Sequence, residues 1–169
     1  MRTFIDILLA LLALMVQSSF GSRLSIFGLL PDFVLLVVIY VALSKGSVEG
    51  VIYGFLTGFV QDVYSPSTLG IGMLSKTVIG FGVGYGRGKI PIESGLVRWI
   101  VIFLTALVHD LLYFLFYLRG DLPRMLSWFF RFSIGSAIYT ATVGSAIFLI
   151  YSYFAGRRSH ARSGSQGLR

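Results

Sequence analysis

The chain has 169 residues, of which 56% are hydrophobic and 12% are charged, and its mean hydropathy is +0.84. Soluble domains are about half apolar and about a quarter charged, so this chain carries too little polar surface to cover a soluble globule. Most of its surface must face lipid or other buried helices. We therefore predict an all-α polytopic membrane protein.

The charge and the missing residue types exclude several other functions. A net charge of +7 would suggest nucleic-acid binding in a soluble protein. Here the basic residues lie mostly in short links and near the C-terminus, which is where membrane topology places them. The chain has no cysteine, which excludes disulfides, thiolate catalysis and cysteine-ligated metals.

The first apolar segment covers residues 1–20 and allows two interpretations. A basic start at Arg2, a short apolar core and small residues at Gly21-Ser22 are typical of a cleaved signal peptide. A retained segment would instead be a first membrane span that ends at Phe20, close to the lower limit of spanning length.

The second apolar segment runs from Ser25 to Leu43 and is interrupted by Pro31-Asp32. Proline fits the first turn of a helix, and an acidic residue beside it meets the positive end of the helix dipole. We predict that the regular helix begins at Pro31 and that residues 25–30 form a bent or distorted segment before it.

Glycines four positions apart mark the third segment, residues 46–62. We call Gly46, Gly50, Gly54 and Gly58 the glycine seam; Asp62 continues the same spacing. Residues at this spacing lie on one side of a helix. In lipid, glycines there let two backbones approach closely enough for van der Waals contact. The seam predicts packing against a second helix, either of this chain or of a partner.

Three further spans and a polar tail follow. The predicted spans cover residues 68–85, 95–118 and 127–153. The first of them repeats the four-residue spacing at Gly80, Gly84 and Gly88. Residues 1–155 would then form one six-helix membrane domain. Residues 156–169 are basic and rich in serine and glycine, so we predict a disordered cytoplasmic tail.

The distribution of basic residues predicts the orientation. Six spans place both termini on one side of the membrane. That side would hold nine basic residues, Arg2, Lys45, Arg87, Lys89, Arg98, Arg157, Arg158, Arg162 and Arg169. The other side would hold Arg23, Arg119 and Arg124, together with Arg131 if its side chain extends outward. Because cytoplasmic links carry the excess of lysine and arginine, we predict that both termini are cytoplasmic.

Motif-like strings do not predict a catalytic, metal or cofactor site. Residues 70–77 nearly match a phosphate-binding Walker A loop, but a serine replaces the glycine before Lys76 and no strand precedes the string. Ser75 and Lys76 are adjacent on a helix and do not face each other. His109 and Asp110 offer two ligand types, whereas a metal site needs three or four convergent ligands.

Five charged residues fall inside predicted spans: Asp32, Asp62, Lys76, Asp110 and Arg131. An unpaired charge at the middle of a membrane helix costs about 2.5–3.5 kcal/mol on insertion scales, so each residue needs a partner. The predicted layout places all five in the outer half of the bilayer. We expect a polar cluster there, with Lys76 balancing Asp110 or Asp62. The cluster would either lock the helices together or form a polar mouth for a partner or ligand.

Two stretches carry a family resemblance. They are Pro31-Asp32-Phe-Val-Leu-Leu-Val-Val-Ile-Tyr-Val-Ala-Leu43 and Gly50-Val-Ile-Tyr-Gly-Phe-Leu-Thr-Gly58-Phe-Val-Gln-Asp62, the latter continuing to Leu69-Gly70. Both are similar to the pattern of the bacterial rod shape-determining MreD family. The resemblance covers residues 1–155 in length and span layout, and residues 30–90 in residue detail. Asp32 and Asp62 match the family pattern, which assigns them no reaction.

The resemblance implies a non-enzymatic scaffold in the bacterial cytoplasmic (inner) membrane. Such a scaffold belongs to the cell-elongation machinery, or elongasome, and supports peptidoglycan synthesis and cell shape. The implied partners are the bitopic protein MreC and, through it, MreB, RodA and a penicillin-binding transpeptidase. No cofactor is implied.

The six-helix layout is also similar to that of the substrate-binding (S) subunits of energy-coupling-factor transporters. A solute-binding subunit is therefore the alternative, and it predicts an outer pocket lined by aromatic residues. The small residues Ala10 and Ala13 speak against it, because their spacing differs from the small-residue docking groove of such subunits.

Overall fold

The computed structural model describes residues 2–20, 29–65, 68–90, 94–119 and 121–163. Its helices are α1 (Arg2–Phe20), α2 (Phe33–Lys45), α3 (Ser47–Val63), α4 (Ile71–Tyr85), α5 (Gly95–Tyr117), α6 (Leu122–Trp128) and α7 (Ile134–Ser163). A π-helical turn, Phe129–Ser133, joins α6 to α7 into one continuous helical segment. The described residues contain no β-strand, which confirms the all-α prediction.

Helix length separates the segments into two groups. Within the described residues, two segments are long and apolar enough to cross a membrane, Gly95–Tyr117 and Leu122–Ile150. The apolar stretches Thr3–Ser19 and Phe33–Lys45 are shorter. Helices α3 and α4 have 17 and 15 residues, against the roughly 20 of a typical span. The six-span layout and the cytoplasmic termini stay predictions.

Helix α2 lies at the centre of the bundle and contacts α1, α3, α4, α5 and α7. Its sequence is apolar on every side, and a helix of this kind is buried rather than amphipathic. Val34, Val38, Val41 and Ala42 have no exposed surface. The core extends from Leu35 and Ile39 of α2 to neighbouring helices through Ile79, Ile102, Ala106, Ala137 and Ala141.

The glycine seam of α3 packs against α4 of the same chain. A Cβ added at Gly50, Gly54 or Gly58 would collide with the backbone of α4. The facing α4 residues are, in that order, Gly80, Lys76 and Met73. Because the α4 numbers fall as the α3 numbers rise, the two helices are antiparallel. Their backbones touch, as two glycine-faced helices in lipid can do.

Gly46 has a different role from the other three seam glycines. It lies immediately before α3, at a φ of +111° that side-chain-bearing residues rarely adopt. A Cβ there would meet the side chain of Arg87 at 3.5 Å rather than the α4 backbone. Gly46 therefore forms the tight turn between α2 and α3.

Polar contacts join four helix ends at one end of the bundle, which we call the Lys45 end. The Lys45 ammonium pairs with the Asp6 carboxylate, and the Tyr53 hydroxyl donates to the Thr3 carbonyl at 3.5 Å. The Arg87 guanidinium donates to the Lys45 carbonyl at 2.6 Å. The starts of α1 and α3 and the ends of α2 and α4 thus lie together, so these helices alternate in direction. We call the opposite end the Asp32 end.

The start of α2 differs from the prediction. The helix begins at Phe33, Asp32 is its N-cap, and Pro31 precedes the cap instead of occupying the first turn. The cap decides the boundary, because a carboxylate oxygen of Asp32 accepts the backbone N–H of Leu35 at 2.8 Å. Residues 25–28 of the predicted bent segment lie outside the described residues.

The last helical segment begins earlier and ends later than predicted. It starts at Leu122 instead of residue 127, because the Asp121 carboxylate caps the helix and Pro123 lies within the first turn. At the other end α7 continues to Ser163, through arginines and an alanine that favour helix. Residues 164–169 lie outside the described part of the chain, and the division into domain and tail stays a prediction.

A candidate polar site at the Asp32 end

A cavity of about 550 Å³ lies at the Asp32 end of the bundle. Its lining comes from the short links before α2 and α4, the last turn of α3, the first half of α4, the second half of α5 and the stretch around the π-helical turn. The residues are Leu29, Leu30, Asp32, Gln61, Asp62, Ser65, Thr68, Gly72, Lys76, His109, Asp110, Tyr113, Phe114, Trp128, Phe132 and Ser136. Two short helices, α2 and α4, begin at this cavity, and their N-terminal dipoles favour negative charge there.

Asp32 and Lys76 form a buried ion pair on one wall. The distance between Lys76 Nζ and Asp32 Oδ2 is 3.2 Å, and the side chains are 3% and 18% exposed. The backbone N–H of Asp32 donates to Thr140 Oγ1 of α7 at 3.2 Å. The pair therefore links α2 to α4, and the neighbouring hydrogen bond links α2 to α7.

His109 extends this pair into a chain of four polar side chains. Its Nε2 atom lies 3.2 Å from Lys76 Nζ, and its Nδ1 atom lies 3.2 Å from Asp110 Oδ1. An ammonium has three donors and no acceptor, so Nε2 must accept from Lys76 and carry no hydrogen. Nδ1 then carries the hydrogen and donates to Asp110. This geometry fixes the neutral tautomer of His109.

Asp62 caps the start of α4 from the end of α3. Its Oδ2 atom accepts the backbone N–H of Gly70 at 2.8 Å and that of Met73 at 2.9 Å. These are donors that a helix start leaves without an intrahelical partner. Asp62 is 4% exposed. The four-residue spacing that aims the glycine seam at α4 also aims this carboxylate at the first turn of α4.

Aromatic rings form the rim of the cavity. Tyr113 stacks on Tyr117 with a centroid distance of 6.0 Å, and Tyr117 lies 6.2 Å from Trp128. Phe114 and Phe132 each meet Trp128 edge to face, at 6.1 and 6.4 Å. The π-helical turn widens the helix locally and shifts the register of the residues that follow it, and such turns are frequent at functional sites.

The structure brings four of the five charged residues singled out from the sequence to this cavity, namely Asp32, Asp62, Lys76 and Asp110. The predicted partner of Lys76 was wrong. Lys76 pairs with Asp32 because the N-cap of α2 faces α4. The Asp62 carboxylate instead accepts a hydrogen bond from the backbone at the start of α4.

Arg131 is the predicted cluster residue that lies elsewhere. Its side chain is exposed on the π-helical turn, with its guanidinium 5.5 Å from the ring of Phe132. A long basic side chain extends from an apolar surface in this way to keep its charge solvated.

The sequence interpretation missed several functional candidates, chiefly Gln61, His109, Tyr113, Trp128 and Thr140. His109 was weighed only as a metal ligand, although any ionisable residue inside a membrane helix is a candidate for a polar network. Among the residues that the structure describes, no three histidine, aspartate or glutamate side chains form a metal-binding group. Ammonium, imidazole and carboxylate groups instead converge on a concave, aromatic-rimmed space, which suits it to binding.

Comparison with known proteins gives a family and no structural match. No solved structure matches the chain. A family model described as rod shape-determining protein MreD matches residues 1–155, which include all the residues of the cavity. The chain therefore belongs to the MreD family of membrane proteins and has a role in rod shape determination.

Proposed function

We propose that this chain is a non-enzymatic scaffold of the bacterial cell-elongation machinery and that it binds the transmembrane segment of a bitopic MreC-like protein. The family match over residues 1–155 carries the proposal, because it covers all six predicted spans. Through this partner the chain would act with MreB, RodA and a penicillin-binding transpeptidase. It would thereby support peptidoglycan synthesis and cell shape.

In this proposal the chain crosses the bacterial cytoplasmic membrane six times, with both termini in the cytoplasm. The alternating direction of α1 to α4 supports this layout. Lys45 and Arg87 lie together at the Lys45 end, where the excess of basic residues favours the cytoplasmic side. The Asp32 end and its cavity would then face the outer side.

We infer that the helix of the partner protein contacts this chain at the rim of the cavity. The glycine seam is occupied by α4, so a foreign helix has no access to Gly50, Gly54 or Gly58. By contrast, Trp128 and Phe132 are 42% and 41% exposed. Large aromatic side chains around a polar space supply most of the binding energy at many interfaces. A partner helix packed there would gain van der Waals contact and a few buried polar pairs.

A matched pair of phenylalanines on the π-helical turn tests the proposal. Phe132 lines the cavity, whereas Phe130 is 64% exposed and lies outside the lining. Each is changed to alanine, and the protein is co-expressed with an affinity-tagged MreC-like protein of the same bacterium. In mild detergent, we expect Phe132→Ala to lower recovery of the chain with its partner about tenfold, equivalent to about 1.4 kcal/mol.

Phe130→Ala should be recovered at the wild-type level. The same variants are expressed in rod-shaped cells depleted of their own MreD-family protein, where Phe130→Ala should restore rods and Phe132→Ala should leave rounded cells. Equal partner recovery with both variants would contradict the proposed contact. Failure of the wild-type chain to recover any MreC-like protein would contradict the scaffold role itself.

The cavity favours a second candidate, a solute-binding subunit of an energy-coupling-factor-type transporter. A space of about 550 Å³ with aromatic walls has the size and composition of small-molecule sites. Ala10 and Ala13 are 7% and 6% exposed, so they pack within the chain and offer no docking groove. This candidate predicts a small molecule retained on the purified protein, which native mass spectrometry would detect as an added mass.

A further inference from the structure

The charges around the cavity do not balance. Lys76 neutralises Asp32 at 3.2 Å. Two backbone N–H groups and the dipole of α4 compensate Asp62. In the part of the chain that the structure describes, the ion-pair contact of Asp110 is with the ring of His109. The neutral tautomer imposed by Lys76 means that this ring brings no positive charge to Asp110. Asp110 is therefore left without a cationic partner among the described residues.

Asp110 also lies where a ligand can reach it. Its side chain is 25% exposed, and it lines the cavity together with Tyr113 and Trp128. The faces of tyrosine and tryptophan rings attract cations by about 0.5–2 kcal/mol, with the larger values at desolvated sites. A lone carboxylate beside aromatic rings is the arrangement that binds organic cations.

We propose that the cavity binds one organic cation, an ammonium or guanidinium group, with Asp110 as its counter-ion and the ring of Trp128 beside it. The inference goes beyond the scaffold role, since it concerns the chemistry of the bound group and not the identity of a partner. The cation is either a basic side chain of a bound protein or a free amine.

The cavity tryptophan serves as the reporter. The chain has two tryptophans, and Trp99 lies on α5 away from the cavity, where its Nε1 donates to Thr142. The Trp99→Phe variant in nanodiscs is titrated with ethylguanidinium chloride, with ethylurea as a neutral probe of nearly the same shape. We expect a saturable change in Trp128 emission with ethylguanidinium and none with ethylurea or sodium chloride at equal concentration.

Variants of Asp110 then test the counter-ion. Asp110→Asn should weaken ethylguanidinium binding at least tenfold, and Asp110→Glu should retain most of it. Asp121→Asn is the control, because Asp121 lies outside the cavity lining and asparagine also caps helices. Equal responses to ethylurea and ethylguanidinium, or unchanged binding in Asp110→Asn, would overturn the proposal.

The comparison of the two probes keeps the test decisive if Asp110→Asn does not fold, as judged by circular dichroism. It uses a chain with an unchanged cavity, so an equal response to ethylurea and ethylguanidinium would overturn the proposal by itself. Repeating the titration with the MreC-like protein bound identifies the source. Loss of the response assigns the cation to the partner, and a retained response assigns it to a free amine. Failure to recover a partner would leave the ethylguanidinium result intact.

Discussion

Gly50 of α3 and Gly80 of α4 approach so closely that a Cβ on either residue would overlap the backbone carbonyl of the other. In water, glycines inside helices destabilise them by about 1 kcal/mol each relative to alanine. In lipid they permit backbone contact that no other residue allows. The α3–α4 hairpin therefore depends on residues without side chains, and it positions Asp62 and Lys76 at the cavity.

Two glycines on α4 give a matched test of this contact. Gly80 touches α3, whereas an added Cβ at Gly82 meets nothing within 4 Å. Gly80→Ala should lower the free energy of unfolding by about 1–3 kcal/mol, because the two backbones must separate. Gly82→Ala should leave it unchanged or raise it by up to about 1 kcal/mol. Unfolding in mixed detergent micelles measures both; equal stability of the two variants would disprove the contact.

Gly54→Leu should have a larger effect of the same kind. If the seam received a partner's helix, this change would break complex formation more than membrane insertion. Because Gly54 lies against the backbone of Lys76, the leucine should instead unfold the hairpin and displace Lys76. Protease resistance of the isolated chain in detergent measures this, and a fully resistant Gly54→Leu protein would refute it.

The ion pair of Lys76 with Asp32 predicts a specific coupling. Lys76→Met should lower the free energy of unfolding by about 3–5 kcal/mol, because it leaves the Asp32 carboxylate buried without its cation. Adding Asp32→Asn should restore part of the loss, whereas adding Asp62→Asn should not. A double-mutant cycle in detergent measures the coupling, and a larger coupling of Lys76 to Asp62 would contradict the structure.

The exposed pair of Arg124 with Asp121 is the control for that experiment. Its atoms lie 3.2 Å apart, but the side chains are 76% and 41% exposed. Exposed pairs contribute about 1 kcal/mol or less, so Arg124→Gln should have little effect on the free energy of unfolding. A loss as large as that of Lys76→Met would show that the assay does not separate buried pairs from exposed ones.

The cap on α4 predicts an order among substitutions of Asp62. Asp62→Ala removes the acceptor of two buried N–H groups and should destabilise the fold by about 1–3 kcal/mol. Asp62→Asn keeps an oxygen in place and should cost less than half as much. Thermal unfolding followed by circular dichroism measures the stability of both variants. A larger loss of stability in Asp62→Asn than in Asp62→Ala would mean that the negative charge matters more than the capping oxygen.

The absence of cysteine makes the membrane orientation directly testable. Single cysteines at Lys89 and Arg124 lie on exposed residues at opposite ends of the bundle. The cells are treated so that the reagent passes the outer membrane but not the cytoplasmic membrane. A membrane-impermeant maleimide should then label Arg124→Cys, and it should label Lys89→Cys only after the cells are lysed. The reverse pattern would invert the proposed topology, and labelling of both would contradict the intervening span.

Most of the helical framework was predictable from the sequence. Apolar composition defines segments that must satisfy their backbone hydrogen bonds internally, and lipid leaves helices as the solution for such segments. Boundaries set by a local cap were less accurate. The starts of α2 and α6 differ from the prediction because the Asp32 and Asp121 carboxylates cap these helices, and a cap depends on hydrogen-bond geometry that the sequence pattern does not give.

The periodicity of α3 alone determined that Gly50, Gly54, Gly58 and Asp62 lie along one gradually winding face, since a spacing of four slightly exceeds the 3.6-residue turn of a helix. The tertiary structure decided what that face meets, which is α4. It likewise decided that Lys76 pairs with Asp32 and that His109 joins the chain. From charge composition one can infer only that a buried charge such as Lys76 needs a partner. Which carboxylate becomes that partner depends on the distances between helices that are far apart in sequence.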